Sequence, residues 1–329
     1  MNQHQKKILV IRFSSIGDIV LTSPAIRCLR QQTGAQVHFL TKQAFLPLLE
    51  ESPWIDKIFT IQRSLGEVLP ALKKENYDCL LDLHVNLRSL RVRLALRCKT
   101  YAFHKLNLEK WLLVQLKINR LPDKHVVDRY LAAAAPLGVR NDGKGLEYFL
   151  PEAMPLPAQI PPGPYIAFAI GAAHGTKRLP REKIAAICSG IKCPVVLLGG
   201  AKEQQDGAFA AATAGPHVSN CCGQLNLHES AIVLRNAWKV IAHDTGMMHI
   251  AAAFKKEILS IWGSTVPALG MYPYFGKDSD NRSKIFEVNG LPCRPCSKIG
   301  FEKCPQGHFR CMRDIRDADI IRHANQPEA

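Results

Sequence analysis

Short β-rich runs alternate with helical stretches along most of the chain, and this alternation constrains the fold more than any other feature. Hydrophobic residues at helical spacing separate the runs, for example over Leu87–Leu96. Strands that alternate with helices predict an α/β fold whose parallel sheets are covered on both faces. The runs predicted as strands are Lys7–Phe13, Gln36–Leu40, Lys57–Ile61, Cys79–Leu83, Thr100–Phe103, Tyr165–Ile170, Pro194–Leu198, Lys239–His243 and Ile258–Trp262.

A proline-rich segment divides the alternating pattern into two halves. Six prolines occur between positions 151 and 164, where they exclude a helix interior and a central strand. The alternation restarts after this segment, and 329 residues are enough for two domains with full cores. We therefore predict an N-terminal domain over 1–150, a linker over 151–164, a C-terminal domain over 165–313 and a terminal helix over 314–329.

The chain is strongly basic, with 43 Lys and Arg against 28 Asp and Glu and a formal net charge of +15. The segment from Arg88 to Lys124 has ten basic residues and two acidic ones. Such a surface attracts phosphate groups, whether of a membrane, a nucleic acid or a small substrate. We find no apolar run of about 18 residues and no signal peptide, and therefore expect a cytoplasmic protein without a transmembrane helix.

Three loops that follow predicted strands carry the residues of most chemical interest. The first contains Gly17, which allows close approach of the backbone to a ligand, and Asp18 at the start of a helix. Taken by itself, Asp18 is either a helix cap or a general base that deprotonates a hydroxyl group. The second loop carries Lys177 and Arg178 at a predicted helix N-terminus, which suits a phosphate site as well as a simple basic turn.

The third loop combines a strand-to-helix turn with a histidine. Asp244, Thr245 and Gly246 form the turn, and His249 follows one helical turn later, where its imidazole can face the same ligand. Helix capping explains Asp244 or Thr245 but leaves His249 unexplained. We therefore favour a functional role for this group of residues.

Two long motifs of the chain resemble glycosyltransferase family 9, the lipopolysaccharide heptosyltransferases. They are IRFSSIGDIVLTSP over Ile11–Pro24 and DTGxxHxAA over Asp244–Ala252, and Tyr77–Leu83 and Asn86–Ser89 lie between them in the expected order. The resemblance covers nearly the whole chain. It implies a GT-B architecture, in which two Rossmann-like domains with parallel sheets face an interdomain cleft.

The resemblance also implies an activity, which is the transfer of heptose from ADP-heptose to the inner core of lipopolysaccharide with inversion and without a metal ion. Asp18 is then the general base, while Ser15 and Arg88 bind the anionic lipid-linked acceptor. No cofactor is required beyond the ADP-sugar, and the basic N-terminal domain makes peripheral contact with the cytoplasmic face of the inner membrane. The implied donor-binding residues are Gly17, Thr176, Lys177, Asp244, Thr245, Gly246 and His249.

The chain departs from the family pattern in the lysine-containing loop. Many relatives carry tryptophan before the proline of this loop, whereas this chain has Leu179, and hydroxyl residues found in some members are replaced by Ala172 and Ala173. These differences leave the sugar and the nucleotide base of the donor open.

Four of the eleven cysteines lie close together near the C-terminus, at Cys293, Cys296, Cys304 and Cys311. One C-x-x-C pair is present and a second tight pair is missing. The cysteines are therefore compatible with reduced thiols, with disulfides or with a structural zinc site. Similar clusters occur in some members of the resembled family, and we expect no catalytic metal.

Three other interpretations are compatible with parts of the sequence. A GT-B transferase or epimerase for another nucleotide sugar has the same fold. A nucleic-acid-binding protein fits the charge, and Tyr101, Phe103 and Trp111 lie in the basic segment, but no nucleic-acid motif is present. A non-catalytic sugar-binding relative is disfavoured because Asp18 and Lys177 are both present.

Overall fold

The computed structural model describes residues 5–277 and 282–327, which form two compact units. The first unit consists of the chain up to Lys105 and of Lys124–Phe149, and the second consists of Leu106–Asp123 and the chain from Leu150 onward. Each unit has its own sheet and its own hydrophobic core. None of the described helices is long and apolar enough to cross a membrane.

A five-stranded sheet forms the centre of the first unit. All its strand pairs are parallel, in the order β3-β2-β1-β4-β5. The central β1 (Lys7–Ile11) is buried over its last four residues, as expected for a parallel strand that is covered on both faces. The other strands are β2 (Gln36–Lys42), β3 (Lys57–Ile61), β4 (Cys79–Asp82) and β5 (Lys99–Ala102).

Helices of the first unit connect these strands and complete its core. On α2, a stripe that includes Ala25, Ile26 and Leu29 is buried because these positions share one helical face. The helices are α1 (Ile16–Val20), α2 (Ser23–Thr33), α3 (Leu69–Lys74), α4 (Leu87–Leu96) and α6 (Val126–Ala134), whereas α5 (Asn107–Trp111) belongs to the second unit.

The second unit contains a six-stranded sheet, which is again parallel throughout. Its strand order is β11-β10-β9-β6-β7-β8. The strands are β6 (Ile166–Ala169), β7 (Val195–Leu198), β8 (Val218–Asn220), β9 (Lys239–His243), β10 (Glu257–Trp262) and β11 (Ser283–Glu287). The remaining helices are α7 (Arg181–Gly190), α8 (Gln204–Ala214), α9 (Leu227–Asn236), α10 (Gly246–Ala253), α11 (Arg310–Arg313) and α12 (Asp317–Asn325).

In each sheet the direction of winding reverses at the first strand of the unit. The strand β1 is paired with β2 on one side and with β4 on the other, and β6 is paired in the same way with β7 and β9. Loops that leave the carboxyl ends of such neighbouring strands diverge, and open α/β sheets bind ligands at this point. The geometry therefore marks the loops after β1 and β4, and those after β6 and β9.

The predicted α/β fold with two parallel sheets is confirmed. The bounds of α4 and β9 are those expected from the sequence, while α12 begins at Asp317 rather than Asp314 because Arg310–Arg313 forms a separate short helix. The pattern does not predict the edge strands β8 and β11, which are short or partly exposed.

The segment Leu106–Asp123 belongs to the second unit, although the sequence places it within the predicted N-terminal domain. It contains α5 and a π-helical turn over Leu112–Leu116. The ammonium group of Lys117 donates hydrogen bonds to the carbonyl oxygens of Cys293 at 3.3 Å and Pro295 at 2.7 Å. These bonds connect the segment to a part of the chain that is distant in sequence.

A buried arginine connects α2 to the last loop of the first unit. Arg27 is 1% exposed, donates to both carboxylate oxygens of Asp142 at 2.7 and 2.8 Å, and pairs with Glu147 at 2.9 Å. Although burial raises the pKa of the Asp142 carboxyl group, the hydrogen bonds from Arg27 outweigh it and lower the pKa to about 2. The charge of Asp142 therefore stabilises the folded state at neutral pH.

We predict that Asp142→Asn lowers the free energy of unfolding of the first unit by about 1–2 kcal/mol at pH 7, since partial exposure reduces the full linkage value. The pKa is depressed in the folded state, so this contribution is present above the unfolded pKa and is lost as pH falls through the folded pKa. The difference between the two proteins should therefore narrow as pH falls from about 5 toward 3. Urea denaturation measures both effects, and Glu51→Gln, at an exposed position of the same unit, is the control.

Candidate functional site

The loop after β1 holds Asp18 in a fixed position on the first turn of α1. One carboxylate oxygen of Asp18 lies 2.7 Å from Nη2 of Arg12. The other accepts hydrogen bonds from the Ser15 hydroxyl at 2.8 Å and from the Ser15 backbone N–H at 3.2 Å. Ser15 precedes the helix, so Asp18 also occupies a position where the helix dipole favours a negative charge.

These contacts determine the protonation state of Asp18. Burial raises the pKa of the carboxyl group, but the positive charge of Arg12 and the hydrogen bonds from Ser15 outweigh burial and hold the pKa below its ordinary value. Asp18 is therefore a carboxylate at neutral pH and is ready to accept a proton. Burial also lowers the pKa of Arg12, yet the charges around it raise the pKa above its usual value.

Arg12 connects the loops after β1 and β4. Its Nε donates to the carbonyl oxygen of Ser14 at 2.8 Å, and its Nη1 donates to the carbonyl oxygen of Leu83. The guanidinium carbon lies 5.9 Å from the centre of the Tyr130 ring. Arg12 therefore both pairs with the Asp18 carboxylate and fixes the backbone of the two loops.

The loop after β4 lies beside the same site. Asp82 accepts hydrogen bonds from the backbone N–H groups of His84 and Val85 at 3.0 and 2.8 Å. The His84 ring packs edge-on against the Phe13 ring, with 5.0 Å between the ring centres. The guanidinium carbon of Arg88 lies 5.5 Å from the centre of the same Phe13 ring. Burial, followed by the charge of Arg12, lowers the pKa of His84 to about 4, so its imidazole is neutral at pH 7.

Val85 has a φ of 51°, a left-handed conformation that is unusual for a β-branched residue. Such backbone strain persists only where the surrounding contacts enforce it, and it concentrates at functional sites. Here the hydrogen bonds of Asp82 enforce it, since that carboxylate binds the N–H of Val85 itself.

The second group of predicted residues meets at the switch point of the second sheet. The Lys177 ammonium lies 2.6 Å from Oδ2 of Asp244 and also donates to the Asp244 carbonyl oxygen at 3.3 Å. The hydroxyl of Thr265 donates to the same Oδ2 at 2.7 Å. Loops after β6, β9 and β10 therefore supply one connected network.

Thr245 occupies the N-cap position of α10 in an arrangement that suits an anion. It precedes Gly246 in extended conformation, and its hydroxyl oxygen is buried without a hydrogen-bond partner among the residues that the structure describes. The first N–H groups of a helix also lack partners within the helix. Free donors at the positive end of a helix form a site for a phosphate or carboxylate. His249, on the next turn of α10, is 2% exposed.

The hydroxyl of Thr176, one of the predicted donor-binding residues, is engaged by other groups of the protein. Thr176 is 2% exposed, its hydroxyl lies 2.9 Å from that of Ser264, and it accepts a hydrogen bond from the backbone N–H of Phe301 at 2.8 Å. A Cβ added to Gly175 would lie 2.2 Å from the carbonyl oxygen of Glu302. This close packing holds the backbone that carries Lys177.

The structure thus brings the predicted residues together in two groups. Lys177, Asp244, Thr245, Gly246 and His249 lie at the switch point of the second unit, whereas Gly17, Ser15, Asp18 and Arg88 lie in the first unit. Gly17, predicted to contact the donor, is buried in the first turn of α1 directly before Asp18.

Sequence reasoning missed Arg12, Thr265 and His84 as members of these groups. Arg12 interrupts the apolar run that continues from β1, and a charged residue at the end of a buried strand is a usable signal. Thr265 follows β10, the neighbour of β9 in the sheet. Its position becomes informative only once that strand order is known.

All four C-terminal cysteines are free thiols, and no disulfide joins them. The Cys293 sulfur lies 3.8 Å from Nε2 of His308. Over residues 5–277 and 282–327, no group of three or more His, Cys, Asp or Glu is arranged to hold a metal ion. Arg294, between Cys293 and Cys296, donates to the carbonyl oxygens of Gly263 at 2.6 Å and Thr265 at 3.0 Å.

Most of the chain matches the model of a known protein family. Residues 66–299 match the family model described as glycosyltransferase family 9 (heptosyltransferase). The chain belongs to glycosyltransferase family 9. The predicted family and the prediction of an enzyme are thereby confirmed, and this family 9 protein is a glycosyltransferase.

Several curated relatives match over nearly the whole chain. Lipopolysaccharide heptosyltransferase 1 of Pseudomonas aeruginosa is 25% identical, and the match covers 94% of this chain and 91% of that protein. The protein of the same name from Campylobacter coli is 21% identical over 96% of this chain and 97% of its own length.

Solved structures show that the GT-B fold prediction is correct. A family 9 glycosyltransferase from Veillonella parvula has a TM-score of 0.77 at 19% identity and covers 98% of this chain and 97% of its own. The ADP-heptose lipopolysaccharide heptosyltransferase II of E. coli has a TM-score of 0.69 at 20% identity, with 96% of each chain covered. An E. coli heptosyltransferase solved with ADP has a TM-score of 0.68 at 18% identity, with 96% of this chain and 98% of that chain covered.

We predict that Arg12→Gln raises the pKa of the Asp18 carboxyl group, because it removes the main interaction that opposes burial. The carboxylate should then take up its proton at higher pH than in the wild type. Nuclear magnetic resonance titration of the carboxyl carbon measures the pKa directly. Arg63→Gln removes an exposed arginine of the same unit and should leave the titration unchanged. An unaltered Asp18 titration in Arg12→Gln would show that Arg12 does not control the charge of Asp18.

Proposed function

We propose that this protein transfers heptose from ADP-heptose to the inner core of lipopolysaccharide, with inversion at the anomeric carbon and without a metal ion. The observation that carries the proposal is the site at the second switch point, where Lys177 pairs with Asp244 and the next residue, Thr245, places a buried hydroxyl with no partner among the described residues at the N-terminus of α10. Membership of a heptosyltransferase family supports heptose as the sugar. The names of the relatives support lipopolysaccharide as the acceptor.

The donor diphosphate would bind at this second site. Its oxygens would accept hydrogen bonds from the Thr245 hydroxyl and from the N–H groups of the first turn of α10, beginning with Gly246. Lys177 would neutralise the negative charge that develops as ADP leaves. In this proposal Asp244 is a positioning residue, since its carboxylate, which accepts a hydrogen bond from Thr265, holds the Lys177 ammonium in place before the donor binds.

The acceptor hydroxyl would bind at the first site, within reach of Asp18. Its oxygen attacks the anomeric carbon, the bond from that carbon to the phosphate oxygen breaks, ADP leaves, and the hydroxyl proton passes to the Asp18 carboxylate. A single displacement of this kind inverts the anomeric centre. Ser15 would orient the carboxylate, and Arg88 would face the anionic groups of the acceptor.

Arg12 imposes a compromise on this base. Because it lowers the pKa of Asp18, it guarantees the ionised form at neutral pH but weakens the carboxylate as a proton acceptor. The compromise is acceptable because the hydroxyl proton becomes strongly acidic only as the new glycosidic bond forms. Proton transfer would therefore occur late, when even a weak base suffices.

In this proposal the charge-stabilising work of a divalent cation is done by fixed groups of the protein, namely Lys177 and the dipole of α10. The proposal includes reaction at the cytoplasmic face of the inner membrane, which the lipopolysaccharide acceptor named for the relatives supports. The basic residues between Arg88 and Lys124 would favour peripheral contact with that surface.

We predict that Asp18→Asn lowers kcat by about 10²–10⁴-fold with little change in KM for ADP-heptose, because the amide cannot accept the proton. A coupled assay of ADP release with lipopolysaccharide precursor as acceptor measures both constants. Glu51→Gln, which neutralises an exposed carboxylate of the same unit, is the matched control. An Asp18→Asn protein with more than about one tenth of wild-type kcat would exclude Asp18 as the base.

Calorimetric titration with ADP in EDTA tests the donor site and the proposed metal independence together. We expect ADP to bind in preference to uridine and guanosine diphosphates, with Lys177→Ala and Thr245→Val each weakening the affinity by about tenfold. Lys202→Ala, which removes an exposed lysine of the same unit, should bind as the wild type does. Preference for another nucleotide would overturn the donor assignment, and binding that requires an added divalent cation would overturn metal independence.

A further inference from the structure

The outer face of α4 exposes a stripe of leucines that no other part of the described chain covers. Leu87, Leu90 and Leu94 are 79%, 41% and 66% exposed. Their spacing of three and four residues places them on one side of the helix. Single exposed apolar residues are common on protein surfaces, but a contiguous stripe indicates a binding surface.

The exposure of this stripe is not a result of fraying at the helix ends. The Asn86 side chain accepts a hydrogen bond from the N–H of Ser89, whose hydroxyl accepts one from the N–H of Asn86. On the opposite face, Ser89 and Val92 are fully buried. The helix is therefore anchored, and its leucines are presented to the surroundings by the fold.

Arginines alternate with the leucines. Arg91 and Arg97 are exposed, while Arg88 and Arg93 are half-buried. None of these four forms an ion pair with a carboxylate of the described residues. The sequence contains no Asp or Glu between positions 82 and 109, so the positive charge of this surface is uncompensated locally.

We propose that this α4 face, formed by the exposed leucines and arginines of 87–97, docks on an anionic lipid bilayer. The leucines would enter the boundary between headgroups and acyl chains, and the arginines would bind lipid phosphates. The proposal rests on the proposed function, which requires an acceptor embedded in a membrane, and it assigns the membrane contact to a defined surface.

The pattern of charge disfavours two other occupants. A second copy of the chain, related by two-fold symmetry, would bring the arginines of one α4 against those of the other, and such like charges oppose association. A nucleic acid would use aromatic rings for base stacking, whereas this face presents leucines. A bilayer satisfies both the apolar and the cationic groups.

The α4 face is continuous with the site that contains Asp18. Arg88, at the start of the helix, lies over the ring of Phe13, and Phe13 follows Arg12, the ion-pair partner of Asp18. Docking this face would therefore bring the first site close to the membrane surface. A sugar that protrudes from the bilayer would reach the base without leaving its lipid.

Co-sedimentation with sucrose-loaded vesicles tests the surface separately from the reaction. Wild-type protein should bind to vesicles of phosphatidylethanolamine and phosphatidylglycerol. It should bind much more weakly to vesicles of pure phosphatidylcholine. We expect Leu87→Ser/Leu94→Ser to lower the partition coefficient by about tenfold or more. Arg91→Gln should lower it by about fivefold, and added salt should weaken binding.

Matched controls remove equivalent groups elsewhere. Leu156→Ser/Ile299→Ser replaces two exposed aliphatic residues of the second unit, and Arg140→Gln removes one exposed positive charge. Both should bind vesicles as the wild type does. Circular dichroism and thermal unfolding establish that each variant is folded, which is expected because every substituted side chain is exposed.

Each outcome distinguishes the surface from the proposed reaction. Unchanged vesicle binding by Leu87→Ser/Leu94→Ser, or equal loss in the controls, would overturn the docking surface whatever the enzymatic activity. A dimer that these serines dissociate would identify a second copy as the occupant, and equal binding to soluble polyphosphate would identify a general polyanion surface. Selective loss of vesicle binding, with transfer to a water-soluble acceptor fragment retained, would support the proposal. Absence of any transfer would contradict only the proposed function.

Discussion

The reversal of winding at the first strand of each sheet is the constraint on which both candidate sites depend. A parallel strand with neighbours on both sides requires connections that leave in opposite directions, and the loops at its carboxyl end separate. In the first unit this separation exposes Asp18 between the loops after β1 and β4. In the second it exposes the N-terminus of α10 beside the loop that carries Lys177. The residues at the two sites differ, but the position of each site follows from the same reversal of strand order.

Both sites use an ion pair to hold a reactive group before any ligand arrives. Arg12 fixes the charge and orientation of Asp18, and Asp244 fixes Lys177. The pairs serve opposite purposes, because in one the carboxylate is the proposed proton acceptor, whereas in the other the ammonium is proposed to neutralise the charge of the leaving group. Partly buried charges of this kind are costly unless they are paired, so pairing allows each site to hold a charged group that is largely shielded from solvent.

The sequence predicts much of this arrangement but not all of it. Strand positions follow from apolar runs with clear ends, and both α4 and β9 have the expected bounds. The edge strand β8 is three residues long, too short for a periodic pattern. Lys177 and Asp244 are both recognisable as residues of chemical interest, yet their 2.6 Å contact follows from the pairing of β6 with β9, which the sequence does not reveal. The contact of Thr265 with Asp244 cannot be predicted either, because it depends on the pairing of β10 with β9.

Thr176 and Arg294 show why residue type alone does not separate ligand-binding groups from their supports. A hydroxyl next to Lys177 suggests phosphate binding, but the Thr176 hydroxyl is engaged with Ser264 and Phe301 and so fixes the lysine loop against the chain beyond β10. In the segment that contains the four C-terminal cysteines, Arg294 connects to the network around Asp244. It donates to the carbonyl oxygen of Thr265, whose hydroxyl binds Asp244. Because Asp244 in turn holds Lys177, the cysteine-containing segment supports the proposed donor site through its arginine.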